Sequence, residues 1–481
     1  MASSWFGDLF TSLIPHNQVH MKTGDEWKEH RRLMADTMSF NFLNEVAGPR
    51  IYEGTLTLIQ LWKEKARLAK GRPFAAAEDI KQGAFEVIWA ATFGSKVNAS
   101  KTQADLLAGV DRLDLPADVE CEATIPQASP PETFKALTLL SDSVSIPLNS
   151  LFPAPHHKLA LTVLPKYRKA LAVKNRLIDE NLDAAWQKFK SAADDDDAVK
   201  SAVDLIVQRE VQLANKENRA AMYNSPVIRD ELYGYMSAGF DTSSTTLEWA
   251  VKFLTDHQEA QKKLRQELHA AFTDAKAERR VPSASELAKT KLPYLAACME
   301  EAHRLGGTVS IIIRSTTQDT ELLGRVIPKG TDVFFLNQGP GYTTKAIPVD
   351  EKLRSTSSRE SKGKNNEWDA QNIEAFLPER WLAKGEDGEV VFDPRAGPDM
   401  PFGSGTRGCF GKLNAVRCMT RTLLTFDTGR RLAELELKII IGLVIWNFNL
   451  EPTPAGLSSY AARHDLTRNP RQCYLRLSVA T

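Results

Sequence analysis

The chain has 481 residues, with 61 basic side chains balanced by 61 acidic ones, 42% apolar residues and 25% charged ones. That balance is ordinary for a folded globular chain and excludes disordered, collagen-like and coiled-coil proteins. Without a basic excess to neutralise phosphates, no nucleic-acid partner is expected either.

In chain order, the N-terminal stretch up to Trp27 has no basic segment followed by an apolar one, so neither a leader nor an anchor is predicted there. Residues 158–190 carry apolar side chains at three-to-four spacing, the pattern of an amphipathic helix interrupted near Pro165. The acidic run at 192–198 reads as a solvated loop. A long helix is predicted from Pro226 to about His257, although Gly239 and a Ser/Thr cluster at its centre are poor choices for a helix interior. Helices at 257–273 and about 292–305 follow. Strand signals are confined to 310–317, 321–335 and 473–479, and 351–367 reads as a polar surface loop. The strongest apolar run, Ile439–Trp446, is far short of the ~18 to 20 residues a membrane span needs. No internal repeat and no βαβ alternation is visible. The expected fold class is mainly α with small β-sheets (α+β). The five cysteines (Cys121, Cys298, Cys409, Cys418 and Cys473) have neither disulfide-framework nor zinc-site spacing, which points to a reducing compartment.

The chemistry concentrates in PFGSGTRGCFG, Pro401–Gly411. A metal-ligating thiolate needs backbone N–H groups near its sulfur, and glycines let the chain turn close enough to supply them. An arginine beside it can pair with a carboxylate of a cofactor, and Phe402 can shield the sulfur from water. Phe402, Gly405, Arg407, Cys409 and Gly411 match every specified position of F-x-x-G-x-R-x-C-x-G. The chain therefore resembles the cytochrome P450 family of haem-thiolate monooxygenases, and this resemblance implies haem b with Cys409 on the iron.

Three further motifs agree. Glu301 and Arg304, in E-x-x-R, share a helix face, and the later PERW adds Arg380; the resemblance gives this triad a structural role. AGFDTS (Ala238–Ser243) looks like the family's acid–alcohol motif, in which Asp241 and Thr242 relay protons and Gly239 opens room for dioxygen. Trp27 and Arg31, in W-x-x-x-R, can offer an indole N–H and a guanidinium to one haem propionate, with Arg32 a competing candidate. Arg314 stands where the family places another propionate arginine, and His303 reads as a packed or surface histidine.

The resemblance covers about Lys22–Thr481 and looks fungal and microsomal, of the kind seen in secondary metabolism. It implies a single haem-thiolate domain over 1–481 that uses O2 and takes electrons from a separate NADPH–cytochrome P450 reductase. A small, mostly apolar substrate is expected against Ala238, Gly239, Val309 and Ile311. An isomerase or dehydratase acting on a peroxide is the first alternative, against which Asp241 and Thr242 argue. A truncated or mis-spliced, non-catalytic product is the second. Two departures from the family motivate it. The sections that normally precede W-x-x-x-R are missing, so an unpaired sheet edge, exposed apolar surface and loose haem binding are expected. Residues 412–429 read as an insertion, because Gly411 joined to Arg430 restores an uninterrupted match. The family's residence is the cytoplasmic face of the endoplasmic reticulum; without a visible anchor, the cytoplasm is the other expectation.

Overall fold

The computed structural model describes residues 3–191, 194–363, 366–410 and 431–480. Gly411 and the 412–429 segment lie outside the described residues.

Helices carry the fold. Those that position the site are α1 (Asp25–Met34), α2 (Gly48–Ala69), α3 (Ala77–Phe93), α4 (Glu132–Asp142), α5 (Pro226–Asp256), α6 (Pro293–Gly306) and α7 (Arg431–Asn447). The strands are short. Phe74–Ala75 (β1), Phe448–Glu451 (β4) and Tyr474–Val479 (β7) form an antiparallel sheet in the order β1-β7-β4. Ile311–Ser315 (β2) pairs with Asp332–Leu336 (β3), with Arg314 opposite Val333. Ala462–His464 (β5) and Arg468–Pro470 (β6) make a late hairpin.

The predicted break at Pro165 is real. Helices Pro153–Val163 and Pro165–Phe189 meet at Leu164, which is extended because the following proline ring excludes the helical conformation there. The polar stretch at 351–367 departs from a plain loop. It holds a turn at Glu351–Leu353 and a short helix, Thr356–Ser361, started by the Ser355 hydroxyl accepting from the Ser358 amide.

α5 is the axis of the molecule, packed along α3 and against α6 and α7. Ser225 caps its start by accepting from the Ile228 amide, with Pro226 at the first helical position. The helix runs unbroken through its Ser/Thr cluster because those hydroxyls knit it to its neighbours. Ser243 donates to Glu436 on α7 at 2.6 Å, Thr245 to Asn469 on β6 at 2.6 Å, and Thr246 pairs with Thr308 beyond α6 at 2.9 Å. Gly239 also serves packing: a Cβ there would lie 2.7 Å from Ile88 on α3. Close approach of two helices therefore requires a glycine here.

The β2–β3 pair leaves Ile311, Phe334, Phe335 and Leu336 exposed. Trp5 lies over Phe334 at 6.4 Å between ring centroids, and the Ser3 hydroxyl donates to Asp332 at 2.8 Å. Among the described residues no helix is long and apolar enough to cross a membrane.

Candidate active site

The cysteine loop is a tight fold-back. Gly403 and Gly405 take positive φ (66° and 69°), which only glycine adopts without strain. Gly405–Arg407 forms one 3-10 turn, and the Cys409 amide donates to the Phe402 carbonyl at 2.7 Å. Phe402 packs edge-on against the buried ring of His303, at 5.3 Å, so that histidine is a packing residue. Asn337 ties the loop to the segment before β2, donating to the Met400 and Val309 carbonyls at 3.1 and 3.0 Å.

Three arginines gather at this loop. Arg31 on α1 donates to the Gly408 carbonyl at 3.4 Å, and Arg314 on β2 donates to the Arg407 carbonyl at 3.0 Å. Arg407 donates to the carbonyls of Gln18 and Val19 at 3.4 and 3.2 Å, yet its Nη1 is buried without a partner. Trp27 lies beside both Arg31 (5.1 Å) and Arg407 (4.8 Å) in cation–π contact. Burial, reinforced by repulsion from Arg314 and Arg31, pushes Arg407 down to about 10. Burial also lowers Arg31 and Arg314. Such a nest of cations is a site for an anion. Arg32 is exposed, so Arg31 is the arginine of the W-x-x-x-R pair that faces the loop.

Glu301 is fully buried and receives five hydrogen bonds. Arg304 donates twice (2.8 and 2.7 Å), Arg380 once (2.9 Å), the Leu377 amide once (2.9 Å) and the Trp381 indole once (2.9 Å). Arg304 places its remaining protons on the carbonyls of Tyr342, Ile373 and Ala375. The PERW segment thus supplies its tryptophan as well as its arginine. Sequence reasoning missed Trp381, because nothing local distinguishes it from any core tryptophan.

Cys409, Arg31, Arg314 and Arg407 open on one cavity of about 1390 Å³ with Asp241, Thr242, Ala238, Gly239, Val309 and Ile311. Phe6, Phe10, Leu13 and Ile14 complete its apolar wall, while Lys81, Asp142 and Glu248 lie at a charged end. Asp241 and Thr242 do not bond each other. Thr242 donates to the Ala238 carbonyl at 2.8 Å, whereas Asp241 accepts from Thr467 at 3.2 Å. Burial raises the Asp241 carboxyl, opposed by Lys81 and by the Thr467 bond. Glu436 on α7, which sequence reasoning also missed, is buried against the same cavity and pushed up to about 8, moderated only by its bond to Ser243.

Comparison with known proteins gives one consistent result. The family model described as Cytochrome P450 matches residues 7–342. A cytochrome P450 monooxygenase of Pestalotiopsis microspora is 37% identical over 99% of this chain and 80% of its own length. The cytochrome P450 monooxygenase TRI13 of Fusarium sporotrichioides is 35% identical over 98% of this chain and 80% of its own. Among solved structures, a crystal structure of a cytochrome P450 superposes with a TM-score of 0.68 at 17% identity, covering 100% of this chain and 84% of that one.

Proposed function

The chain belongs to the cytochrome P450 family, and we propose that it inserts one oxygen atom of O2 into a mostly apolar organic substrate of fungal secondary metabolism. Electrons come from a separate NADPH–cytochrome P450 reductase. The observation that carries this reading is the convergence of the Cys409 loop, the three arginines and the Asp241–Thr242 turn on one cavity.

The residues fit haem. The unpartnered Nη1 of Arg407 and the mutual repulsion of three half-buried guanidiniums call for a dianion, which two propionates are. When bound, haem supplies the binding and reductive splitting of dioxygen. Cys409 is the thiolate that would hold the iron, and Arg31, Arg314 and Arg407 would hold the propionates. The chain's own contribution to the chemistry is proton handling. Asp241 is an acid of the cavity wall whose carboxyl is raised above its ordinary value by desolvation. The Thr242 oxygen, whose proton is committed to the Ala238 carbonyl, keeps its lone pairs for a donor in the cavity. Ala238, Val309 and Ile311 present small or apolar surface to substrate.

The carbon monoxide difference spectrum of the reduced, haem-loaded chain tests the assignment: a thiolate-type band is expected, and its absence would sink it. A second test addresses the relay. Thr242→Ala should leave haem content and the thiolate band unchanged while slowing product formation by about 100-fold or more, the lower end of what one positioned proton-transfer group contributes, and raising the peroxide released per NADPH consumed toward one. A variant as well coupled as the parent would remove Thr242 from the relay.

A further inference from the structure

We propose that Thr467, in the turn between β5 and β6, is a positioning residue for Asp241, holding its carboxylate against the C-terminal hairpin and turned from Thr242. The inference rests on the reading of Asp241 as a proton donor given above.

Thr467 is 4% exposed, and its hydroxyl meets the Asp241 Oδ2 at 3.2 Å. Its orientation is set by a row of donors. Thr245 spends its single proton on Asn469 Oδ1, at 2.6 Å, in preference to the longer 3.3 Å approach to Thr467. That identifies the other end of the Asn469 amide as the donor, and Nδ2 gives a proton to Thr467 Oγ1 at 3.1 Å. With its oxygen so engaged, the Thr467 proton points to Asp241. Every hydrogen bond in the row therefore runs toward the carboxylate, an arrangement that favours an ionised acceptor.

The hairpin that carries this row is clamped. The Trp249 indole donates to the Arg468 carbonyl at 2.7 Å, the Arg468 amide donates to the Thr308 carbonyl at 3.0 Å, and the Arg468 guanidinium reaches the Gly306 carbonyl. Thr467 thus cannot follow Asp241 if the carboxyl turns away. Protonation adds a donor to a group already faced by one, which weakens the hold and frees the acid to turn toward Thr242. The other charged groups that bear on Asp241 are Lys81 on α3, which favours its ionised form, and Asp142 on α4 and Asp465 of the hairpin, which oppose it. Glu248, farther along α5, is itself pushed up to about 8 by burial, with Asp241 adding to the effect.

Infrared titration of the haem-loaded resting protein tests this without turnover. The Asp241 carboxyl band is identified by its loss in Asp241→Asn. Thr467→Val should move its titration to higher pH, because the bond that favours the carboxylate is gone, and Thr467→Ser should restore it. Asn469→Ala, which leaves the Thr467 hydroxyl in place but unoriented, should give a smaller shift in the same sense. The pH midpoint of peroxide released per NADPH should move with the band. An unchanged titration in both Thr467→Val and Asn469→Ala, with Asp241→Asn still altering peroxide release, would overturn the role of Thr467 alone. If Asp241→Asn alters peroxide release at no pH, the relay reading falls and this inference falls with it.

Discussion

Cys409→Ala is expected to abolish thiolate-type haem binding while leaving the apo fold intact. The loop is closed by backbone bonds, from the Cys409 amide to Phe402 and from the Gly408 amide to Gly405, none of which uses the sulfur. The protein loses its iron ligand and keeps its scaffold. A thiol with an ordinary pKa of ~8.5 becomes a thiolate on coordination, and the push of that sulfur is what favours O–O cleavage in haem-thiolate enzymes. Among the described residues no other cysteine can replace it. Cys298 and Cys473 are buried in the core, with burial driving both thiols well up, and Cys121 is exposed beside Asp118. Purified variant protein should therefore show no thiolate band on reduction under carbon monoxide and little bound iron. A retained band would move the ligand to Cys418, which lies outside the described residues.

Glu301→Ala should cost about 3–5 kcal/mol of stability, the range for leaving buried charges without their partner. Two guanidiniums lose their carboxylate at once. Arg304, 2% exposed, keeps only carbonyl acceptors, and the Trp381 indole loses its acceptor as well. Because most of the polar bonds between α6 and the PERW turn run to this carboxylate, the variant should unfold at markedly lower denaturant and take up little haem. A midpoint equal to the parent's would show that the five bonds carry no such load. Arg380 is the milder site. It gives Glu301 one bond and also reaches the Asn372 and Ala375 carbonyls, so Arg380→Ala should lose less.

What the sequence made legible was short-range. Glu301 and Arg304 are three residues apart, Asp241 and Thr242 are adjacent, and Phe402 to Cys409 lie within one loop, so each falls inside a short motif and the family resemblance marked them. The long helix from Pro226 to about His257 was readable, despite a centre that propensity disfavours. That disfavoured centre is resolved only in three dimensions, where Ser243, Thr245 and Thr246 bond to α7, the late hairpin and the residues beyond α6. The same holds for what was missed. Thr467 reaches Asp241 across 226 positions and Trp381 reaches Glu301 across 80, distances over which no local pattern survives. For Gly239 the packing reason could not be read from the sequence, since the atom that excludes its side chain belongs to α3.

Arg407, near the C-terminal end, bonds the carbonyls of Gln18 and Val19, and those two residues are themselves held by Glu231 through the Gln18 amide and through Asn17, which accepts from the Val19 amide and donates to Glu231. The contacts that join Arg31 and residues 18–19 to the cysteine loop span 377 to 389 positions of the chain. Contacts of such separation carry a high closure entropy and form late in folding. The arginine nest is thus among the last parts of the fold to close, and loosening residues 17–19 from Glu231 would take away the carbonyls that hold Arg407.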